Sequence, residues 1–208
     1  MTNPEFERWQ GRYAAAPGNL FGEEPNHFLA GCADLLPQSA QVLAVADGDG
    51  RNGVWLARQG LAVTSLDFSP VAQGKARALA ARHGVDLNFE QGDVHTWAYP
   101  TQGFDIVAEI FAQFSMPEDR ARKWAAMRDA LRPGGLMIIQ GYTPQQLTYA
   151  TGGPKLLEQL YTEDLLRAAF GDYALVRLAI EERELHEGDG HSGMSATIGM
   201  VWRKPAAT

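Results

Sequence analysis

A short apolar run, a glycine-bearing turn and a helix-like segment follow one another within residues 41–60. The run QVLAVA (41–46) is continuous and apolar, as expected for a strand buried on both faces, and residues 52–59 are predicted to form a helix. A parallel strand returns to its sheet through a crossover, which is usually a helix. The stretch therefore predicts the start of a parallel sheet covered by helices.

The same alternation continues along the chain. Further strands are predicted at 61–67, 87–91, 104–110 and 136–141, and further helices at 70–83, 118–131 and 162–170. The last two strand-like runs, 173–182 and 194–203, are joined by the polar loop HEGDGHSG and must be antiparallel, because so short a connection cannot make a crossover. We therefore predict an α/β fold: a doubly wound, Rossmann-like, seven-stranded sheet, mostly parallel, with an antiparallel C-terminal strand pair.

The length of 208 residues suits a single domain. We predict an N-terminal helical lid at 1–38, with two helices around a Gly/Pro loop, and a Rossmann-like core at 39–208. Ligands of such folds lie over the carboxyl ends of the strands, where the lid could cover them. The aromatic residues that could form an apolar cover are Trp9, Tyr13, Phe21 and Phe28, although packing within a helical core accounts for them almost as well.

The charge and composition of the chain limit the kinds of partner that we expect it to bind. The net charge of −7 disfavours nucleic acid, whose phosphates an acidic surface repels. No apolar run is long enough to cross a membrane, and the first residues do not resemble a secretion signal. The single cysteine, Cys32, is predicted to be a buried core residue, since alone it forms no internal disulfide or zinc site. We expect a cytoplasmic protein without a metal site, as a monomer or a homodimer.

The turn after the first strand is suited to a ligand. Gly48 and Gly50 let the backbone approach closely, and the start of the following helix presents N–H groups. Asp67 ends the second strand, where an acid can bind ribose hydroxyls. Asp93 follows the third strand, where a carboxylate can accept a hydrogen bond from an adenine amino group. These features fit two ligands, a dinucleotide and an adenosyl nucleoside.

The two ligands differ in charge. Gly48, Gly50 and Gly53 match the letters of the dinucleotide pattern G-x-G-x-x-G, but such a match arises easily in a chain with 22 glycines. Asp47 and Asp49 flank these glycines and would repel a pyrophosphate. A zwitterionic cofactor with an ammonium group and no phosphate tolerates an acidic crevice. A nicotinamide-dependent oxidoreductase is kept as an alternative.

The run GDGRNGVWLARQGLAVTSLDFSP resembles the corresponding stretch of class I S-adenosylmethionine-dependent methyltransferases. It is most similar to the tellurite-resistance methyltransferase group, which shares G-x-G-R-N, L-A-x-x-G and D-x-x-P. The PGG at 133–135 is a common mark of the superfamily, and RELHEGDGHSG with MVWRKP resembles the ending of that group. The resemblance covers roughly residues 5–205. It implies methyl transfer from S-adenosylmethionine to a small-molecule acceptor.

The resemblance also implies roles for single residues. Asp67 would bind the ribose hydroxyls with Phe68 against the adenine, and Asp93 and Val94 would meet the adenine edge. The loop after the first strand would lie under the methionine part, residues after the fourth strand would line the other side, and two lid residues would close over the cofactor. In chain order the implied cofactor residues are Arg12, Tyr13, Ala46, Asp47, Gly48, Asp49, Asn52, Asp67, Phe68, Asp93, Val94, Glu109, Ile110 and Phe111.

Two positions depart from the family pattern D-x-G-C-G. The chain has Ala44 in place of the acid that helps to orient the turn and the ligand ammonium, and Ala46 in place of the first glycine. Asp47 or Asp49 could take over the role of the missing acid by a different route. Taking Asp47 as the family acid itself would break the alignment with GRN. A second alternative is therefore a non-catalytic protein of this fold that binds or senses the cofactor.

Methyl transfer from a sulfonium is an in-line displacement, in which the protein aligns the acceptor and supplies a base if the acceptor carries a proton. The resemblance places His186, in the sequence ELH, at the substrate, and His191 follows five residues later. Tyr142, after the fifth strand, is a further catalytic candidate at the rim. Many members have a base next to the family histidine, where this chain has Glu187. This difference argues against an oxyanion substrate such as tellurite.

Overall fold

The computed structural model describes residues 4–149, 151–188 and 190–207. Within them one sheet has the strand order β3-β2-β1-β4-β5-β7-β6. The strands are β1 (Gln41–Val45), β2 (Ala62–Asp67), β3 (Asn88–Gln91), β4 (Phe104–Ile110), β5 (Leu131–Tyr142), β6 (Ala174–Glu187) and β7 (His191–Arg203). The first five are parallel, whereas β7 pairs antiparallel with both β5 and β6. The predicted doubly wound α/β sheet with an antiparallel end is confirmed.

The helices begin and end where local chemistry favours it. They are α1 (Pro4–Ala15), α2 (His27–Ala30), α3 (Arg51–Arg58), α4 (Pro70–His83), α5 (Pro117–Ala130) and α6 (Glu163–Phe170). Ser69 caps α4 by accepting a hydrogen bond from the N–H of Ala72, and Pro70 occupies the first turn. Thr162 caps α6 in the same way. Helices at the predicted positions thus connect β1 to β2, β2 to β3 and β4 to β5, whereas the chain passes from β3 to β4 without a helix.

Two hydrophobic cores lie on opposite faces of the sheet. Successive residues of a strand point to opposite faces, so Leu43 belongs to one core and Val42 to the other. The first core is closed by aromatic residues of α5 and α6, among them Trp124 and Phe170. The second is closed by α2 and α3 and includes Cys32, which is fully buried, as predicted.

The last two strands are longer than predicted. β6 extends to Glu187 and β7 begins at His191, so most of HEGDGHSG belongs to the hairpin ladder. Glu187 pairs directly with His191, and His186 pairs with Ser192. The polar composition of these residues suggested a loop, whereas their position next to a tight glycine turn allows the ladder to continue. The two histidines therefore stand on strands, where alternation decides which face each takes.

The N-terminal stretch contains less helix than predicted. After α1 it continues as a loop to the four-residue helix α2 and a 3₁₀ turn at Ala33–Leu35, in place of a second long helix. Tyr13 and Leu20 pack against Ala72 of α4, which fixes the stretch over the sheet end. No helix of the described residues is both long and apolar enough to span a membrane.

Matched isoleucine substitutions test the position of the core. Ile138 of β5 is fully buried, whereas Ile180 of the edge strand β6 is 57% exposed. We expect Ile138→Ala to lower the free energy of unfolding by about 2–5 kcal/mol, because it leaves a cavity. Ile180→Ala should cost less than about 1 kcal/mol. Equal losses in urea denaturation would contradict this packing.

Candidate functional site

A cleft opens where the strand order reverses, between the carboxyl ends of β1 and β4. The cleft is open to solvent at its mouth. Residues of α1 and the following loop, Trp9, Tyr13 and Phe21, form its roof. The predicted cofactor residues that line it are Tyr13, Ala46, Asp47, Asp49, Asn52, Asp67, Phe68, Asp93, Val94, Ile110 and Phe111.

The loop after β1 keeps a tight turn without the first family glycine. Ala46 has φ of 51° and Gly48 has φ of 60°, both in the left-handed region that favours glycine. For alanine this conformation costs about 1–2 kcal/mol. A Cβ added to Gly48 would overlap the hydroxyl of Tyr13. Gly48 is therefore the point where the N-terminal segment meets the loop.

Asp47 supports the loop from within the protein. Its Oδ1 accepts a hydrogen bond from the N–H of Gly53 at 3.0 Å, and its Oδ2 accepts one from the hydroxyl of Ser65 at 2.7 Å. Burial raises the pKa of Asp47 to about 6, although these hydrogen bonds lower it. Both carboxylate oxygens are thus occupied by contacts that join the loop to α3 and β2.

Asp49 has one carboxylate oxygen without a protein partner. Its Oδ2 accepts a hydrogen bond from the N–H of Leu20 at 2.5 Å, and its backbone carbonyl accepts one from the side chain of Asn19 at 2.9 Å. Its Oδ1 is buried and has no hydrogen-bond partner among the described residues. Burial raises the pKa of Asp49, which hydrogen bonds from Leu20 and Phe21 partly oppose. A bound ammonium or hydroxyl group would satisfy this oxygen.

Asp67 lies at the end of β2, as the sequence predicts. Its two oxygens accept hydrogen bonds from the N–H groups of Gly48 at 2.9 Å and Ser69 at 2.8 Å. Burial raises the pKa of Asp67 to about 6, against the effect of these hydrogen bonds. The carboxylate lines the cleft directly beside the glycine turn.

Asp93 is held by a short hydrogen-bonded chain. Its Oδ1 lies 2.9 Å from Nδ1 of His95, and Nε2 of His95 lies 2.8 Å from the hydroxyl oxygen of Ser115. The backbone N–H of His95 also donates to the same Oδ1 at 2.9 Å. These contacts fix the orientation of the Asp93 carboxylate in the cleft wall.

Glu109 does not reach the cleft, contrary to the sequence-based expectation. Its side chain is fully buried and lies 3.1 Å from Nζ of Lys123. It also accepts hydrogen bonds from Nε1 of Trp124 at 3.1 Å and from the hydroxyl of Tyr161 at 2.5 Å. Because side chains alternate along β4, Ile110 faces the cleft and Glu109 faces the core. Glu109 is therefore part of a buried polar cluster that joins β4 to α5.

His191 is buried among three aromatic side chains. Its ring centroid lies 4.4 Å from those of Phe21 and Phe111 and 5.7 Å from that of Tyr142. Burial lowers the pKa of His191, and the charge of Arg51 lowers it further, whereas Glu187 raises it. The imidazole is thus held mostly neutral, the form that accepts a proton.

Glu187 joins the hairpin to the N-terminal segment and to α3. Its Oε2 lies 2.7 Å from a guanidinium nitrogen of Arg51, and its Oε1 accepts a hydrogen bond from the N–H of His27 at 3.1 Å. Oε2 also lies 3.7 Å from Nδ1 of His191, beyond hydrogen-bond distance. Burial raises the pKa of Glu187, but the neighbouring His191 and Arg51 outweigh it and bring the value to about 2. The ion pair with Arg51 is almost fully buried.

His186 does not face the cleft, so this catalytic candidate is corrected. Its side chain is 74% exposed, and its Nε2 lies 4.0 Å from Glu184 on the same strand. Directly paired residues of an antiparallel ladder share a face, and neighbours along a strand do not. Glu187 and His191 therefore take the cleft face, while His186 and Ser192 take the outer face.

A second cavity adjoins the cleft beneath α1. It is lined by Tyr142, which is buried and stacks against Phe111 at 4.6 Å, and by His191. Arg12 lines this second cavity and not the cleft, so it does not stand with the other predicted cofactor residues. Asn52 lines the cleft but also accepts a hydrogen bond from the N–H of Asn26 at 2.9 Å.

Several cleft residues were missed from the sequence. They are Arg51, Gly92, Ala112 and Phe114. Arg51 belongs to the GRN motif, and Gly92 directly precedes Asp93, so neighbouring predicted residues could have indicated both. Ala112 and Phe114 follow β4 in an irregular segment without a pattern.

Comparison with known proteins agrees with this geometry. Residues 42–135 match the model of a methyltransferase domain. The matched stretch contains the loop after β1, Asp67, Asp93 and all of β4, which ends at Ile110. An uncharacterized protein of Mycobacterium tuberculosis, Rv1405c, is 27% identical over 115 residues, which are 55% of this chain and 41% of that protein. The chain thus spans less than half the length of this curated relative.

Three solved structures share the fold. One concerns the conversion of a disulfide bond into a thioacetal group during echinomycin biosynthesis (TM-score 0.76, 20% identity, 97% of this chain and 89% of the other). The others are the N-methyltransferase NodS of Bradyrhizobium japonicum with S-adenosyl-L-homocysteine (0.75, 13%, 98% and 100%) and TehB of Haemophilus influenzae (0.70, 19%, 86% and 62%). At such identities the likeness shows the fold. The domain match adds that residues 42–135 are similar to a methyltransferase domain.

The raised pKa of Asp47 predicts a pH-dependent stability. The folded value is about 6 and the usual value is 3.8, so the unfolded chain loses this proton first as the pH rises. Asp47 contributes up to about 3 kcal/mol to the free energy of unfolding below pH 4, and this contribution is lost as the pH rises to about 6. Denaturant unfolding of the wild type and of Asp47→Asn from pH 4 to 7 should therefore show the variant gaining relative stability. Parallel curves would contradict the burial of an ionisable Asp47.

A methyl group at Gly48 should separate the lid from the loop. Gly48→Ala places a Cβ against the Tyr13 hydroxyl at a backbone φ of 60°. We expect a more protease-sensitive N-terminal segment and at least a tenfold loss of S-adenosyl-L-homocysteine affinity. Gly18→Ala is the matched control, since nothing lies within 4 Å of its added Cβ. Wild-type affinity in Gly48→Ala would show that the contact is dispensable.

Proposed function

We propose that the protein transfers a methyl group from S-adenosylmethionine to a small-molecule acceptor. The methyltransferase-domain match and the shared fold support the cofactor class. The enclosed cleft, roofed by Trp9, Tyr13 and Phe21, supports a small acceptor.

The unpartnered Oδ1 of Asp49 is the observation that carries the proposal. The family acid is absent at Ala44, which is buried in the apolar core between α3 and the sheet. Each oxygen of Asp47 already accepts a hydrogen bond, from Gly53 or Ser65, whereas Oδ1 of Asp49 accepts none, so Asp49 is the better placed of the two candidate replacements. In our proposal this oxygen accepts a hydrogen bond from the ammonium group of the cofactor. The loop then replaces the missing acid from five residues further along the chain.

The rest of the cleft fits the remainder of the cofactor. Asp67, at the end of β2, would accept hydrogen bonds from the ribose hydroxyls. Phe68 and Val94 provide apolar surface for the adenine, and Asp93 would accept a hydrogen bond from its amino group. Bound there, S-adenosylmethionine supplies an electrophilic methyl group, and the protein aligns the acceptor with it.

His191 is the residue best placed to hold a proton during the reaction. It lines both the cleft and the second cavity, and its buried ring is held in the neutral form. The carboxylate of Glu187, 3.7 Å away, would stabilise the imidazolium once a proton has been taken from the acceptor. The aromatic groups Phe21, Phe111 and Tyr142 keep water from this point.

The charge of the cleft disfavours the dinucleotide alternative. Four carboxylates line it, those of Asp47, Asp49, Asp67 and Asp93, and its one arginine, Arg51, is already paired with Glu187. A pyrophosphate would meet this negative charge without a free cation to balance it. A cofactor sensor without catalysis would use the same cleft, and it is distinguished by the absence of any methylated product.

Membership of the tellurite-resistance group is the finer part of the proposal. It rests on the shared sequence motifs, with TehB among the proteins of the same fold. The exposed position of His186 and the commitment of Glu187 to Arg51 mean that this chain does not present the group's histidine to the cleft. We therefore propose the cofactor chemistry of the group with a different acceptor.

Ligand-induced thermal stabilisation tests the cofactor assignment. S-adenosylmethionine or S-adenosyl-L-homocysteine at about 100 times its dissociation constant should add roughly 2.7 kcal/mol, which raises the melting temperature by about 5–10 °C. NAD should leave it unchanged. Stabilisation by NAD alone would overturn the proposal.

Two variants assign the contacts in the same assay and by calorimetry. Asp49→Asn removes the charge facing the ammonium and should weaken S-adenosyl-L-homocysteine binding about ten- to hundredfold. Asp67→Ala should abolish it. Asp86→Asn, at an exposed position outside the cleft, is the control and should bind as the wild type does. Unchanged affinity in Asp49→Asn would remove Asp49 from the site.

A further inference from the structure

The second cavity lies next to the proposed cofactor cleft. The two share Trp9, Phe111, Phe114 and His191 in their walls. The second cavity opens to solvent and has room for an acceptor the size of a substituted aromatic ring. An acceptor there would reach the cofactor past His191, the proposed base.

The lining of this cavity combines aromatic side chains with two arginines, one glutamate and two glutamines. Phe111 and Tyr142 stack at 4.6 Å and, with Trp9 and Phe114, present flat apolar surface. Such surface favours a planar ligand. Arg8 and Arg12, one helical turn apart on α1, both line the cavity, as does Glu5 of the same helix.

Arg12 has no carboxylate partner within the described part of the chain. The nearby acid, Glu5, is engaged with Arg8 at 3.4 Å and with the indole N–H of Trp9 at 2.8 Å. The guanidinium of Arg12 lies instead over the rings of Trp9 at 4.6 Å and Phe21 at 5.9 Å. Stacked between aromatic groups, it is held in place with its charge uncompensated.

The electrostatic surroundings favour an anion at this position. Partial burial lowers the pKa of Arg12, and the like charge of Arg8 lowers it further. Arg12 also contributes to the lowered pKa of His191. An anionic group beside Arg12 would relieve both effects, and a guanidinium binds a carboxylate through two parallel hydrogen bonds.

We propose that the second cavity binds a planar acceptor that carries a carboxylate, with its ring between the aromatic walls and its carboxylate on Arg12. This inference rests on the proposed function, because it takes the cavity as the acceptor site. It assigns Arg12 to acceptor recognition and not to the cofactor. Arg8, which is 60% exposed and paired with Glu5, adds only to the local field.

The test compares a carboxylate with its neutral counterpart. Binding of 4-hydroxybenzoate and of 4-hydroxybenzamide is measured by ligand-observed NMR on protein saturated with S-adenosyl-L-homocysteine. We expect the carboxylate to bind at least tenfold more tightly, as a charge-assisted pair predicts. In Arg12→Gln this preference should disappear, while Arg8→Gln should retain most of it.

Three results would overturn the inference. The first is the absence of a preference for the carboxylate at millimolar concentrations. The second is an undiminished preference in Arg12→Gln. The third is saturable binding of the oxyanion selenite without binding of the aromatic acid. A tenfold loss of S-adenosyl-L-homocysteine affinity in Arg12→Gln would also overturn it, because Arg12 would then belong to the cofactor site.

The affinity of the wild type for S-adenosyl-L-homocysteine separates this inference from the proposed function. If the wild type does not bind S-adenosyl-L-homocysteine, the proposed function fails. The preference for the carboxylate is then measured on the protein without that nucleoside. Unchanged S-adenosyl-L-homocysteine affinity in Arg12→Gln also shows that the variant is folded. Release of S-adenosyl-L-homocysteine from S-adenosylmethionine on addition of 4-hydroxybenzoate would support both proposals together.

Discussion

The buried ion pair between Arg51 and Glu187 joins three parts of the chain that line the site. Arg51 begins α3 directly after the glycine turn, and Glu187 ends β6 at the hairpin. Glu187 also accepts hydrogen bonds from the segment that carries Asn26 and His27. Removal of either partner would leave a buried charge uncompensated, which is strongly destabilising. The positions of the lid, the loop and His191 therefore depend on one another.

The loop after β1 makes a tight turn although alanine stands at one of its left-handed positions. The backbone of Ala46 costs free energy that the surrounding contacts must offset. Asp47 provides those contacts by joining the loop to Gly53 and to β2. One oxygen of Asp49 accepts a hydrogen bond from Leu20 of the N-terminal segment, and the other is buried without a partner among the described residues. In the proposed function the acid has moved along the loop.

The fold could be predicted because it depends on local periodicity: 70–83 was expected as a helix, and α4 has those bounds. The positions of Asp67 and Asp93 beside one cleft could also be predicted, because the carboxyl ends of parallel strands lie at one edge of the sheet. Glu109 and His186 were placed wrongly, because alternation assigns a face only when the strand bounds are known. Arg51 and Glu187 are 136 positions apart in the sequence, and no local sequence pattern indicates that they pair. The same holds for Arg12, whose cavity forms only when α1 packs over the hairpin.

A crystal structure of the protein with S-adenosyl-L-homocysteine tests the central claim most directly. The account predicts the amino group within hydrogen-bond distance of Oδ1 of Asp49, the ribose hydroxyls on Asp67 and the sulfur open towards His191. Such a complex would show that the altered loop binds the cofactor through Asp49. A nucleoside bound elsewhere, or in the cleft with its amino group remote from Asp49, would contradict it.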